Sequence, residues 1–390
     1  MRLEDLRSSV PDVGVTYLDS ACMTLRPKKV IEAVERYYSV HPACAGRSAH
    51  RLARETTTMV ERVRSDAMRF FGVRDGEVLF TKNASEALNL AARSIPLKPR
   101  DEVIVSSAEH NSNLVPWLLR RDRDDIVVRV ASHDEDERVD LKSLSALISH
   151  KTKVVSIVGR SNVLGVRNDL ESVARLCREH DVFLIVDGCQ MALSDEVAVS
   201  RMGIDGFAFS AHKMLGPSGL GGLVVSKRLF EALDPFLVGG DTVEATTYES
   251  FELASGHRRF EAGLQNYAGL SGFGEAMRII SSIGKARILK HEEELSVYLQ
   301  ERLPSGFSVL GSQDARLRGP ITCLVHEKLS AHEVAQILDH GFSIATRSGR
   351  HCVHSWFEAR GIEGSLRVSF GPYSNRDDAD RLIEALSSFS

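Results

Sequence analysis

DGCQMALSDEVAVSRMGIDGFAFSAHKMLGPSGLGG, residues Asp187 to Gly222, decides the fold class. An apolar run, Val182-Phe183-Leu184-Ile185-Val186, leads into it and ends in Asp187. A second run, Phe207-Ala208-Phe209, ends in Ser210-Ala211-His212-Lys213 and a Gly-rich turn. Apolar runs of this length, bounded by turn residues, read as buried parallel strands. One carboxylate therefore stands at the end of one buried strand, and one lysine just past the next. A lysine so placed must be solvated, paired or used. Desolvation lowers the pKa of an amine and leaves a nucleophile, which is what Schiff-base chemistry needs. The plainer alternative is a surface-loop lysine with Asp187 as a helix cap. Ser-x-His-Lys followed by Gly-Pro-x-Gly-x-Gly-Gly is hard to obtain from a plain loop.

The same alternation continues outward. Glu77–Thr81 reads as a strand, and Lys82-Asn83-Ala84-Ser85-Glu86 turns into a helix. In that helix Ala84, Ala87, Leu88 and Ala91 recur at i, i+3, i+4 and i+7 and form one apolar face. A strand, a small-residue turn and a helix N-terminus make a ready anion site, although alone this is also an ordinary Ser-capped helix. Glu102–Val105 is the next strand, ending near His110; a lone histidine there would more often be structural. Ile126–Val130 and Lys153–Val158 are further strands, the latter followed by Asn162 and Gly165. Leu170, Val173, Leu176 and Cys177 mark the helix before the Asp187 strand. Strand-helix alternation over about 77–226 predicts an α/β fold with a large, mostly parallel sheet and helices on both faces. Strand C-terminal ends then converge on one crevice, which gathers Ser85, His110, Asn162, Asp187 and Lys213.

The flanks are plainer. A helix starts at Pro27, a polar loop (Ala45 to His50) holds Arg47 and His50, and a helix covers 55–71. From about 268 the pattern changes to one long helix, 268–302, then short strands and helices. This predicts a large domain over 15–267 and a smaller α+β domain made of 1–14 plus 268–390.

The chain has 390 residues, 43% of them apolar, with 49 basic and 53 acidic residues. That is enough for a large core and two subdomains. A net charge of -4 argues against a nucleic-acid partner. No apolar run approaches the roughly 20 residues that span a bilayer, so no membrane partner is expected. The first residues, MRLEDLRSSVPDVG, carry acidic groups and no apolar core, unlike a secretory signal, and a cytoplasmic protein is expected. Cysteines 22, 44, 177, 189, 323 and 352 are scattered without a CxxC pair. That excludes a zinc ribbon, gives no metal site, and argues against a disulfide framework.

A second reactive group lies in Thr346-Arg347-Ser348-Gly349-Arg350-His351-Cys352-Val353-His354. A cysteine beside Arg350, His351 and His354 should have its thiolate favoured, and the thiolate is the nucleophile. The alternative is a buried structural cysteine, the commonest fate of a free thiol. Further on, Arg367 sits in the strand Ser365–Ser369. A guanidinium suits bidentate capture of a carboxylate, although a strand arginine is also routine.

These motifs resemble the cysteine desulfurases and selenocysteine lyases of the class V (fold type I) pyridoxal-phosphate enzymes. The resemblance covers about 16–386. It rests on Asp187-x-x-Gln190, Ser210-x-His212-Lys213, Glu109-His110 with its context through Trp117, Ser161-Asn162-Val163-x-Gly165, and Arg347-x-Gly-x-His-Cys352. The last matches the short-loop group, the SUF-type and selenocysteine-lyase branch. The resemblance implies that Lys213 carries pyridoxal 5'-phosphate, Asp187 pairs with its ring nitrogen, and Gln190 lies near its ring hydroxyl. His110 would stack on the ring and help move protons. Ala84, Ser85, Ser210 and His212 would hold the phosphate. Asn162 would touch the cofactor hydroxyl and, with Arg367, the substrate carboxylate; Arg47 and His50 would belong to the substrate site. The implied activity converts L-cysteine to L-alanine with a persulfide on Cys352, which passes to a sulfur-acceptor protein. The implied assembly is a homodimer, and iron–sulfur cluster assembly is one pathway such an enzyme serves. Alternatives are a selenocysteine lyase, a class V enzyme with another amino-acid substrate, or a non-catalytic homologue acting as a binding protein. Four positions depart from the family pattern: Ser48 replaces a glycine, Ala84 a hydroxyl residue, Arg350 a histidine, and Leu264 a threonine that reaches the partner subunit's cofactor phosphate.

Overall fold

The computed structural model describes residues 1–389. Seven strands build the large sheet: β1 (Gly76–Thr81), β2 (Glu102–Ser106), β3 (Val127–Ala131), β4 (Thr152–Val158), β5 (Phe183–Asp187), β6 (Gly206–Ser210) and β7 (Gly221–Ser226). Their order is β1-β7-β6-β5-β4-β2-β3. All neighbouring pairs are parallel except those made by β7, which runs antiparallel to both β1 and β6.

Strand side chains alternate between faces, and this sheet buries both. Val78, Phe80, Ile104, Leu184, Val186, Phe207 and Phe209 pack into one core. Leu79, Val103, Val105, Ile185, Ala208 and Leu223 pack into a second, on the other side. Two helices close this second core, α3 (Ala84–Ser94) and α4 (Asn111–Asp124), while α5 (Leu170–Glu179) packs into the first. The i, i+3, i+4, i+7 face of α3 is buried as its periodicity predicts. Asn83 caps it, its Oδ1 accepting from the Glu86 N–H at 3.0 Å, an interaction typically worth ~1 kcal/mol. By alternation Asp187 falls on the Ile185 side, facing α3 and α4.

Upstream, α1 (Lys28–Val40) and α2 (Arg51–Phe70) pack on α6 (Tyr267–Ile283). The helix expected over 55–71 starts earlier, at Arg51, because the His50 ring caps it by accepting from the Ala53 N–H. The single helix expected over 268–302 is two helices. Gly284 adopts φ 94°, a conformation that favours glycine, and separates α6 from α7 (Lys285–Glu301).

The C-terminal unit is a four-stranded antiparallel sheet, β8 (Phe307–Val309), β9 (Ile321–His326), β10 (Arg347–Gly349) and β11 (Ser365–Ser369), in the order β8-β9-β11-β10. Its core joins Leu295, Leu324, Leu338, Leu366 and Leu382 with Leu18 from the start of the chain. Thr16–Tyr17 pairs with Ile344–Ala345, and Asp19 bridges to Ser369. Leu6 and Val10 instead enter the core of the large unit. The N-terminal segment thus stitches the two units together. No helix among the described residues is long and apolar enough to cross a membrane.

Candidate active site

The C-terminal ends of the strands open on a cavity of about 210 Å³. Lys213 reaches it from a single 3₁₀ turn, Ala211–Lys213, directly after β6. That turn is clamped by the N-terminal segment. The Thr24 N–H donates to the His212 carbonyl at 2.9 Å, and the Leu215 N–H donates to Thr24 Oγ1 at 2.8 Å. Gly221 follows from the same packing, because a Cβ there would stand 2.6 Å from the Asn83 Cα and 2.5 Å from the Phe209 carbonyl. Its absence lets β7 lie against the turn that starts α3.

Asp187 ends β5 and is 4% exposed, with Oδ1 accepting from the Cys189 N–H at 3.1 Å. His110 caps α4: its Nδ1 accepts from the Ser112 N–H at 3.1 Å, which leaves Nε2 to carry the ring proton. Burial pushes this histidine down to about 4; the Asp187 carboxylate opposes the shift, and Lys213, Arg347 and Arg367 add to it. It is therefore neutral at physiological pH. Its neighbour Glu109 is fully buried and ties β4 to α4, accepting from the Val158 N–H at 2.9 Å and from Asn113 Nδ2 at 2.7 Å. Burial pushes its carboxyl up to about 7.

At the other end of the cavity, the first turn of α3 presents N–H groups with no partner four residues back. The Ala84 N–H donates to Ser210 Oγ at 2.9 Å, and Ser85 Oγ lies 2.6 Å from Ser112 Oγ. The hydroxyl of Ser210 thus supports the turn where Ala84 has none. Burial pushes His212 down to about 4, with Lys213 and Arg26 adding to the shift.

The cysteine loop closes the site from the C-terminal unit. His351 and Cys352 adopt φ 49° and 61°, two successive non-glycine residues in the left-handed region. Each such residue costs on the order of 1–3 kcal/mol and persists where its surroundings enforce it. Here the His351 carbonyl accepts from Asn162 Nδ2 at 2.8 Å, and the Cys352 carbonyl from the Asn111 N–H at 2.7 Å. This backbone aims the side chains differently from the sequence expectation. His351 turns inward onto Ser365 Oγ at 2.9 Å, and burial pushes it down to about 3, so it brings no charge to the thiol. Arg350 turns to Glu358 and to the Glu363 carbonyl, and His354 to Asn111. The cation beside the thiol is Arg347, with Nη2 3.6 Å from Cys352 Sγ. Cys352 is half-buried.

Arg347 stands directly opposite Arg367 in the sheet register. Two like charges so paired destabilise a sheet unless an anion accompanies them. Asp19 supplies one, 3.1 Å from Arg367 Nη2, while Arg367 Nη1 donates to the Asn162 carbonyl. Arg367 Nε and Asn162 Oδ1 are buried without a partner among the described residues. Both belong to side chains that line the cavity, and both suit a ligand with a carboxylate and a hydroxyl.

Lys213, Asp187, His110, Asn162, Arg367, Ala84, Ser85, Ser210 and His212 all line this one cavity. Gln190 borders an adjoining one and donates to the Ala21 carbonyl at 2.8 Å. Arg47 and His50 are not brought in: Arg47 pairs with Asp241 at 2.6 Å, and His50 caps α2. Sequence reasoning missed the roles of Asp19 and Arg347. No local pattern marks Asp19, whereas Arg347 stood in the quoted loop and is singled out by strand register. The donor set fits an aldehyde-bearing pyridine phosphate: an amine, a buried carboxylate for a ring nitrogen, and a helix N-terminus for a phosphate.

Comparison with known proteins agrees. A family model described as aminotransferase class-V matches residues 16–382. A probable cysteine desulfurase from Streptomyces coelicolor is 35% identical over 383 residues, covering 95% of this chain and 91% of the relative. The apo structure of a cysteine desulfurase from Thermococcus onnurineus superposes with a TM-score of 0.96 at 31% identity, covering 100% of this chain and 98% of that one. The cysteine desulfurase CsdA from Escherichia coli, in an S-sulfonic acid form, gives 0.92 at 28% identity with the same coverage.

Proposed function

The chain belongs to the class-V aminotransferase family, and from that premise we propose that it is a pyridoxal-phosphate-dependent cysteine desulfurase. It converts L-cysteine to L-alanine, forms a persulfide on Cys352 and passes that sulfur to an acceptor protein. The observation that carries the reading is that Lys213 and Asp187 share one cavity with Arg347, whose guanidinium reaches the Cys352 thiol.

Bound through its aldehyde to Lys213, pyridoxal phosphate supplies an electron sink for the charge that develops at the substrate Cα. Asp187 holds the ring-nitrogen proton. The first turn of α3, with Ser85, Ser210 and His212, would hold the phosphate, and Gln190 would lie near the ring hydroxyl. Arg367 and Asn162 receive the substrate α-carboxylate, which also relieves the facing Arg347–Arg367 charges. Lys213 removes the α-proton, and His110, neutral with its proton on Nε2, assists. Arg347 lies 3.6 Å from Cys352 Sγ, and that sulfur is the nucleophile toward the substrate sulfur. A new S–S bond forms and the Cβ–S bond breaks with its electron pair left toward Cβ; Cβ takes a proton equivalent to the one that the substrate thiol gives up, and Lys213 returns the α-proton to Cα as L-alanine leaves. An acceptor thiol then takes the terminal sulfur. The short loop 350–353, between β10 and the helix that starts at His354, supports the short-loop, SUF-type reading.

Arg47 and His50 do not line the pocket of their own chain, so a substrate role for them requires a second copy to bring them in. A homodimer fits the exposed apolar side chains around the hairpin Val243–Leu253: Val238, Tyr248 and Phe251, with Leu264 beyond it, are at least 60% exposed. Such clusters on a soluble surface mark interaction sites.

The test combines absorbance with product analysis. The purified protein should show a visible band that L-cysteine shifts, while alanine appears one-for-one with sulfur. Cys352→Ser should keep the band and lose sulfur transfer. Full activity in that variant would remove Cys352 from the mechanism, and the absence of any band after adding pyridoxal phosphate would remove the cofactor.

A further inference from the structure

The phosphate end of the cavity has few donors to offer. In the first turn of α3, the Ala84 N–H goes to Ser210 Oγ at 2.9 Å and the Glu86 N–H to Asn83 Oδ1 at 3.0 Å. Glu86, the acidic residue of that turn, swings its carboxylate back to the Lys82 N–H at 2.6 Å. The Ser85 N–H is left without a partner among the described residues. The start of α4 has no free N–H: Asn111 donates to the Cys352 carbonyl, Ser112 to His110 Nδ1, and Asn113 to the His110 carbonyl. Position 84 carries no hydroxyl, and His212, pushed down to about 4 by burial, brings no charge. The cations that line the cavity, Lys213, Arg347 and Arg367, all lie outside this turn. A phosphate here relies on neutral donors, so each hydroxyl counts.

Ser112 brings a hydroxyl from the second helix. It is the second residue of α4, as Ser85 is of α3, and both line the cavity. Their hydroxyl oxygens lie 2.6 Å apart, within the range of a strong O–H···O bond. A hydroxyl carries one proton and two acceptor positions. Once the Ser85 proton points at an anion, only Ser112 can donate between the two oxygens. Two hydrogen bonds in series then polarise each other.

We propose that Ser112 is a positioning residue for the cofactor phosphate: its hydroxyl donates to Ser85 Oγ, commits the Ser85 proton to the phosphate, and so offsets the hydroxyl missing at Ala84. This rests on the pyridoxal-phosphate reading of the site. It gives α4 a part in holding the phosphate, beside the part that His110 plays at the ring. The bond from Ser112 to His110 is made by the backbone N–H, so a side-chain substitution leaves it in place.

The test titrates the full-length apo-protein with pyridoxal phosphate and, separately, with pyridoxal, which has the same ring and aldehyde but no phosphate. The visible band reports binding. In Ser112→Ala, the Kd for pyridoxal phosphate is expected to rise about tenfold, while the Kd for pyridoxal stays within about twofold of wild type. Ser112→Thr keeps the hydroxyl and should hold pyridoxal phosphate within about threefold of wild type. Equal weakening of both aldehydes, or a phosphate-specific loss below about twofold, overturns the proposal, because a merely structural serine does not discriminate between the two ligands. Should Ser112→Ala not fold, Ser112→Gly is read by the same ratio. A wild-type protein that gives no band with either aldehyde would instead refute the cofactor reading beneath the proposal.

Discussion

Cys189 and Cys352 stand on two different supports around one site. Cys189 sits two residues past Asp187 on the wall of strand ends. Burial, with the Asp187 carboxylate adding and Lys213 opposing, pushes its thiol up to about 12. Cys352 sits on a strained loop of the other unit, half-buried, with a guanidinium 3.6 Å away. The wall is made of buried strands that hold charges at fixed points. The loop is held by two carbonyl hydrogen bonds and presents a side chain outward. The contrast teaches that a nucleophile here depends on a cation from a neighbouring strand, since both thiols are half-buried and both lie close to titratable groups in sequence.

The wall should be the more sensitive to chemistry. Lys213→Ala is expected to remove the visible band and lower alanine formation on the order of 10³-fold or more; near-normal turnover would end the case for a wall-based amine. Next in size is the contrast between the thiols. Cys189→Ser is expected to keep sulfur transfer within about threefold of wild type, as a thiol kept protonated is a poor nucleophile, whereas Cys352→Ser loses it. Equal losses in both would erase the distinction drawn here.

A smaller effect separates Arg347 from Arg350. Arg347→Ala should slow iodoacetamide alkylation of Cys352 several-fold at pH 7, because it removes the guanidinium that lies 3.6 Å from the sulfur. Arg350→Ala should change it by no more than about twofold, since that side chain faces Glu358. The reverse order would restore the reading taken from sequence proximity alone.

The smallest effect is in stability. His110 on the wall and His351 in the loop are both pushed below the ordinary imidazole value of 6.5, to about 4 and about 3. Below pH 6.5 the unfolded chain binds protons that the folded chain refuses, so stability falls as pH falls from 6.5 toward 4. Each histidine contributes up to about 1.4 kcal/mol per pH unit in that window. His351→Gln should flatten the decline measured by denaturant unfolding. An unchanged slope would mean that the loop histidine is not held neutral.

Much of this was legible in the chain itself. The helix over Ala84–Ser94, the parallel strands and the positions of Asp187 and Lys213 follow from apolar periodicity and turn residues, which are local signals. So does the convergence of Ser85, His110 and Asn162, because strand ends in a parallel sheet meet at one edge. The long helix was misread at Gly284, since nothing but a positive φ separates α6 from α7. Arg350 and His351 were favoured over Arg347 because closeness in sequence stood in for direction in space. Two left-handed residues reverse those directions, and cross-strand register sets Arg347 against Arg367 and Cys352. Asp19 meets Arg367 across 348 residues, and Ser112 meets Ser85 across 27. Local pattern, with the family resemblance it carries, picked out the side chains proposed to carry the chemistry. Which charges and protons serve them was decided only when distant segments packed, because electrostatic partnership depends on distance in space and not along the chain.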